Sequence, residues 1–403
     1  MSRHSKSQTP RRSEKLRASS SYPGAPILVA HTHTDFLQRV LEPPTYGFGR
    51  EGDFVRPTHA QIWREFAGRL NLFKDRRNWL ATWHWLASSL LAIPFFLFIS
   101  RYFSLPLFAA AFVYSMVFLG SFGTFWFHRY GTHRAFQFAD NRWGRFCAFV
   151  CRNLAIKIIA EEIYIVSHHV HHKYSEKPGD PYNVNGGGLY CFLADANHQL
   201  IRRDLDEREY QRVSGLIAHT GVRRNSYAQF KRWGSICHPV WTVLHYALNW
   251  AFWYGVFWLI GGHALATALF GGAAFWAFGV RTYNYDGHGR GKDRRREGVD
   301  FNREDLSVNQ IWPGYVAGEW HNNHHLYPNG ARSGFLRYQL DLPWHAISLL
   351  HDLKAVRSFR DYRQDFLEKH YFPYVASKAK LVPSGSPLAC SFTPSITEPP
   401  TLS

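Results

Sequence analysis

Four blocks of the chain are apolar over the length of a membrane crossing, and they come in two pairs. The first pair covers residues 79–99 and 105–127, joined by Ser-Arg-Tyr-Phe-Ser. The second covers 240–260 and 264–280, joined by Gly-Gly-His. A helix needs about 20 predominantly apolar residues to span the hydrocarbon core, with about 17 the lower limit. Links this short make each pair a hairpin whose outer ends emerge on the same side. Residues 143–166 are apolar but interrupted by Arg152, Lys157, Glu161 and Glu162, which predicts an amphipathic helix at the interface. Residues 173–232 are polar, with a Gly-rich turn at 185–188. The expected fold class is all-α and integral membrane, with four transmembrane helices in two hairpins beneath a cytosolic helical cap made of 128–235 and 281–375. A cytosolic segment covers 26–78. The arm at 1–25 and the tail at 376–403 are expected to be disordered, the outer stretches of both being rich in Ser, Thr and Pro.

Charge follows the same topology. The net charge is +17, yet Arg and Lys crowd the long segments before Trp79, across 202–232 and across 290–296, whereas the short links carry only Arg101. That asymmetry is the positive-inside rule and places the long segments, both termini included, in the cytoplasm. It also explains the charge without nucleic acid as a partner. The first twenty residues are basic but lack the apolar core of a signal peptide. Five scattered cysteines give no sign of an oxidised, secreted framework. Mean hydropathy, −0.29, averages apolar blocks with charged ones and decides nothing. Aromatics at 17% suit lipid-facing surfaces and an apolar tunnel.

The 23 histidines carry the chemistry. His128 and His133 form His-x4-His where the second apolar block ends. His168, His171 and His172 form His-x2-His-His, and His321, His324 and His325 repeat that spacing. His288 follows the fourth block, four residues after Asn284. Residues three and four apart share a helix face, so each His-x2-His-His can aim its imidazoles at one place. His128 and His133 lie roughly 140° apart on an ideal helix and converge only if it ends or kinks, for which Gly131 offers a break. Nine convergent imidazoles are too many for one ion and suit two, and a binuclear site poor in carboxylates suits oxygen chemistry better than hydrolysis. Lone histidines such as His84, His245 and His345 read as packing or interfacial hydrogen-bonders. His169 is rotated about 100° from His168 and stays outside the set. His198 has no assigned role.

At these residues the chain resembles the membrane fatty acyl desaturases of the stearoyl type, in their bacterial branch. The motifs are His128-Arg-Tyr-Gly-Thr-His133-Arg-Ala-Phe, His168-His-Val-His171-His172-Lys-Tyr-Ser-Glu with Asp180-Pro181, and Gly318-Glu319-Trp-His321-Asn-Asn-His324-His325 with Tyr327-Pro328. The resemblance covers about 79–360. It implies two Fe²⁺ ions held by the nine histidines, with Asn284 acting through a water. It also implies O2 as co-substrate and a cis double bond, expected at Δ9, introduced into an acyl chain in a kinked apolar tunnel. No His-Pro-Gly-Gly motif of a fused cytochrome is present, so electrons are expected from a separate ferredoxin, rubredoxin or b-type cytochrome with its reductase. Groups expected to orient the imidazoles are Asp180, Glu161, Glu162 and Glu319.

Three departures stand out. Tyr164 replaces the family's usual tunnel Trp. Val166-Ser167 replaces the Arg-Asp with which animal enzymes grip coenzyme A. The third box lacks a residue between Glu319 and Trp320. Arg294, Arg295 and Arg296 are candidates to take over carrier binding, and the resemblance leans towards acyl-CoA over acyl-lipid as substrate. The competing readings are a related di-iron hydroxylase or ketolase, and a membrane metal transporter or sensor. The latter calls for ligands near the bilayer midplane rather than at helix ends.

Overall fold

The computed structural model of the chain describes residues 36–46, 55–288 and 320–381. Among them three helical stretches are long and apolar enough to cross a membrane, Arg76–Tyr102, Leu105–Thr132 and Pro239–Gly287. The first continues past its α-helical part, Trp79–Leu97, into a wider π turn over Phe98–Tyr102. Ser104 then caps the next helix by accepting from the Leu107 amide, with Pro106 in the first turn, the usual start signal. The link between the two thus shrinks to Phe103 and Ser104.

The Pro239–Gly287 stretch is two helices joined at Gly261 and Gly262. Gly262 adopts φ +64°, ψ −166°, a conformation open essentially only to glycine. In one straight helix Tyr254 and Phe270 would lie about 24 Å apart along the axis. Their rings are instead 5.5 Å apart, and the Tyr254 hydroxyl meets His263 Nδ1 at 3.0 Å. The chain therefore doubles back at the Gly-Gly link. Leu91, Leu119, Ala266, Phe270, Ala273 and Ala277 pack between the apolar helices. Phe96, Phe108, Leu248, Phe252, Leu259 and Ile260 point outward and stay exposed; so much exposed apolar surface fits contact with lipid.

Where one amphipathic helix was expected over 143–166 there are two, Asn141–Asn153 and Glu161–Tyr174, separated by non-helical residues 154–160. No proline or glycine interrupts the sequence there. The cause is tertiary. The Ile156 amide donates to the Tyr114 hydroxyl at 3.0 Å, the Lys157 amide donates to Asn249 Oδ1 at 2.8 Å, and the Lys157 carbonyl accepts from the Trp250 indole at 2.8 Å. The apolar helices thus satisfy the backbone groups that a continuous helix would have paired internally.

The fold is mostly helical rather than wholly so. Phe136–Phe138 pairs antiparallel with Val356–Phe359, Phe136 opposite Phe359, and Leu41 bridges Ile201. The Phe-Gln-Phe alternation is a strand pattern too short to stand out in the sequence. This ribbon ties the chain just after His133 to the C-terminal part. A last helix, Phe372–Leu381, crosses the boundary expected at residue 376. The N-terminal arm lies outside the described residues, as does the chain beyond Leu381.

Candidate metal centre

The first histidine pair converges without the break expected at Gly131. Thr124–Thr132 is wound as a π-helix, whose hydrogen bonds run between residues five apart. The His133 amide donates to the His128 carbonyl at 3.0 Å, and the two rings lie 4.9 Å apart. Gly131 serves a different purpose. A Cβ there would stand 2.6 Å from Ile165 Cδ1, so the missing side chain lets the Glu161–Tyr174 helix approach. Arg129, buried beside the pair, forms an ion pair with Asp341 at 2.8 Å and donates to Ser333 Oγ at 2.9 Å. This fastens the end of the second apolar helix to the segment after the third box.

His168, His171 and His172 project from the Glu161–Tyr174 helix. His321, His324 and His325 lie on the short helix His321–Leu326, and His288 caps the Pro239–Gly287 stretch. Their side chains form two groups. His128, His133, His168, His172 and His324 bring one nitrogen each to within 4.8 Å of one another, and His171, His288, His321 and His325 do the same. Among the described residues no carboxylate belongs to either group. His172 and His325 stack at 4.5 Å, so the groups adjoin.

This arrangement fits metal ions. The Nε2 atoms of His128 and His324 are 2.9 Å apart, those of His324 and His172 2.9 Å, and those of His172 and His168 3.1 Å. Two nitrogens bound at right angles to one ion, each at about 2.1 Å, stand about 3 Å apart. His133, His171, His288 and His325 each bury an Nε2 with no hydrogen-bond partner, which would be costly if nothing bound there. Burial, reinforced by neighbouring imidazoles, pushes His133, His168, His172, His324 and His325 well below the usual histidine pKa. The rings are therefore neutral, as metal ligands must be. Asn284 buries its Oδ1 without a partner and lines a cavity beside His321.

Of the four carboxylates expected to orient the imidazoles, three lie among the described residues, and one of these does so. Asp180 Oδ1 lies 2.8 Å from His171 Nδ1, and the same carboxylate accepts from the Glu176 and Tyr182 amides. Glu161 instead takes the Arg152 guanidinium and the Trp126 indole. Glu162 accepts from the Ile236 and Cys237 amides at 2.7 and 2.8 Å, so it holds a loop rather than a histidine. Both lie in the first turn of their helix, on its far end from His168. Glu319 lies outside the described residues, as do Arg294, Arg295 and Arg296. Missed was Glu176, whose Oε1 lies 2.8 Å from His288 Nδ1. It closes the Lys-Tyr-Ser-Glu run, which was the available signal. Arg129 and Asp341 were missed too, although Asp-Leu-Pro-Trp at 341–344 has the form of a helix start. His169 belongs to neither group. His198 is buried against Tyr190, with ring centroids at 4.8 Å.

A cavity of about 360 Å³ reaches His128, His168 and His321, with Tyr164, Trp276 and Met116 in its wall. Tyr164 also packs on His168 at 5.2 Å. At another part of the wall, His84 and Arg281 both pair with Asp195.

Known proteins match this chain over more than half of its length. It is 29% identical to the sn-1 stearoyl-lipid 9-desaturase of Anabaena variabilis over 283 residues, 69% of this chain and 92% of the relative. It is 27% identical to the chloroplastic palmitoyl-monogalactosyldiacylglycerol delta-7 desaturase of Arabidopsis thaliana, over 56% of this chain and 54% of that one. The acyl-CoA C20 Delta5-desaturase of Anemone leveillei is 27% identical over 57% of this chain and 67% of its own. No solved structure matches. The sequence profile for fatty acid desaturases matches residues 104–375, which takes in every histidine of both groups, and the chain accordingly belongs to the fatty acid desaturase family, as a membrane-bound, oxygen-dependent oxidoreductase.

Proposed function

We propose that this chain is a di-iron acyl-lipid desaturase that introduces a cis double bond, at Δ9, into a saturated chain esterified in a membrane lipid. The observation that carries this reading is the pair of adjoining all-imidazole groups opening onto one largely apolar cavity. His128, His133, His168, His172 and His324 would hold one iron. His171, His288, His321 and His325 would hold the other, with Asn284 acting through a water. The bound irons supply the O2 activation needed to remove two hydrogens from an unactivated methylene. One O2, two protons and two electrons from an external donor yield the alkene and two waters. The protein's part is positioning: the cavity wall holds the chain beside His128 and His168 and keeps bulk water away.

A lipid-bound acyl chain is favoured over the acyl-CoA towards which the family resemblance leaned. Val166 and Ser167, standing where animal enzymes carry Arg-Asp, are both 1% exposed and cannot grip a soluble carrier. Two relatives, from Anabaena variabilis and Synechocystis, are named as stearoyl-lipid 9-desaturases. The reversal at Gly261–Gly262 supports four membrane crossings, and the basic flanks support placing the histidine groups at the cytoplasmic end. Expression in a desaturase-deficient host, with gas chromatography–mass spectrometry of its lipids, should reveal Δ9 monoenes. The purified enzyme with a ferredoxin system should act on stearoyl-lipid liposomes and ignore stearoyl-CoA. Turnover of stearoyl-CoA alone would overturn the lipid assignment, and hydroxylated products would overturn the reaction.

A further inference from the structure

A second cavity, larger and of different character, opens beside the start of the Pro239–Gly287 stretch. Its volume is about 750 Å³, and its wall includes Arg152, Lys157, Arg223, Arg224, His238 and Trp241. None of its lining residues lines the cavity that reaches the histidines. Four cations face it, against a single carboxylate, Glu161. That carboxylate is already bound by Arg152, at 2.8 and 2.9 Å, and by the Trp126 indole.

The other three cations have no carboxylate within ion-pair distance among the described residues. Lys157 Nζ stands over the Tyr246 ring at 5.4 Å. Arg223 stands over Trp241 at 5.6 Å. Arg224 donates to Ser214, whose carbonyl and hydroxyl oxygens are neutral acceptors. Burial lowers the Lys157 pKa, a cost that a bound anion would relieve. His238, Trp241 and Thr242 bring the N-terminus of a long helix to the same wall, where the helix dipole favours negative charge. His238 Nδ1 is buried there without a hydrogen-bond partner.

The position identifies the source of the anion. Val240, Trp241 and Leu244, at the start of a membrane-spanning helix, are 60%, 53% and 41% exposed. An exposed Trp beside cations at a helix end marks headgroup depth. We propose that this cavity binds the phosphodiester headgroup of an anionic membrane lipid, as a site separate from the acyl cavity.

The test uses the full-length protein in phosphatidylcholine nanodiscs doped with phosphatidylglycerol, with retained lipid counted by native mass spectrometry. Phosphatidylglycerol should be retained in preference to phosphatidylcholine. Retention should weaken about fivefold for each cation removed, in Lys157→Gln and in the surface double variant Arg223→Ala/Arg224→Ala, and should weaken further in high salt. The double variant changes only exposed side chains, so it decides the matter even if Lys157→Gln fails to fold. Equal retention of both lipids, or undiminished phosphatidylglycerol in the double variant, would overturn the proposal. Displacement of the lipid by millimolar inorganic phosphate or by coenzyme A would also overturn it, and would give the cavity to a soluble phosphate instead.

Discussion

At the scale of single residues, His171 illustrates how the site separates ligand from bystander. Its Nδ1 is held by Asp180 at 2.8 Å and the ring brings a nitrogen to within 4.8 Å of one from each of His288, His321 and His325, whereas His169, two residues earlier, belongs to neither group. Replacing His171 or His324 by Ala should abolish desaturation and lower iron below two equivalents by elemental analysis, while His169→Ala should keep substantial activity. Asp180→Asn should cost 10- to 100-fold in metal retention or turnover, the usual effect of removing a carboxylate behind a ligand histidine. Equal loss at His169 and His171, with normal expression, would sink the assignment. His198 is a separate case. Burial lowers its pKa from 6.5 to about 3, so folding favours the neutral ring. That contribution is fully present above pH 6.5 and is lost as the pH falls, because the unfolded chain then takes a proton that the folded one refuses. The loss is about 2 kcal/mol between pH 6.5 and 5. His198→Gln should therefore flatten the acid-side fall in Tm while leaving the iron content unchanged, and an unaltered pH profile would contradict it.

At the scale of elements, the π-helix of Thr124–Thr132 does what an α-helix cannot, placing residues five apart on one face. Its position depends on Gly131, where an added methyl would meet Ile165 Cδ1 at 2.6 Å and the Trp126 carbonyl at 3.0 Å. Gly131→Ala should destabilise by about 1–3 kcal/mol, as overpacking does, and should lower activity by shifting His128 against His168. Adding Ile165→Val removes the nearer atom and should recover part of both losses, read as Tm and turnover. The carbonyl contact and that with Cγ1 of residue 165, at 3.1 Å, remain, so recovery should be incomplete. Full recovery would mean that the remaining contacts are harmless, and none would mean that the Cδ1 contact is not what limits the site.

At the scale of the whole molecule, the proposed four-crossing topology has both apolar pairs return to the side they left. Engineered cysteines at the exposed Lys74 and Lys354 should therefore react with an impermeant maleimide from the cytoplasmic face, and one at Ser100 only from the other. Labelling of Lys74→Cys and Lys354→Cys from opposite faces would refute the four-crossing topology. Much of this architecture is legible in the sequence, because it rests on local signals. Apolar length, short links and basic flanks specify the hairpins, and three-four spacing on a helix specifies the two His-x2-His-His sets. Those signals need no knowledge of what packs against them. The division of nine imidazoles into groups of five and four depends on how four separate segments meet, so it is a property of the packed molecule alone. The same holds for the break at 154–160, where Tyr114, Asn249 and Trp250 from the apolar helices take over the hydrogen bonds of a helix. It holds also for Glu161 and Glu162, which were expected to orient imidazoles and which packing turned towards Arg152 and towards two backbone amides. Periodicity states which residues share a face, and only long-range contacts decide what that face meets.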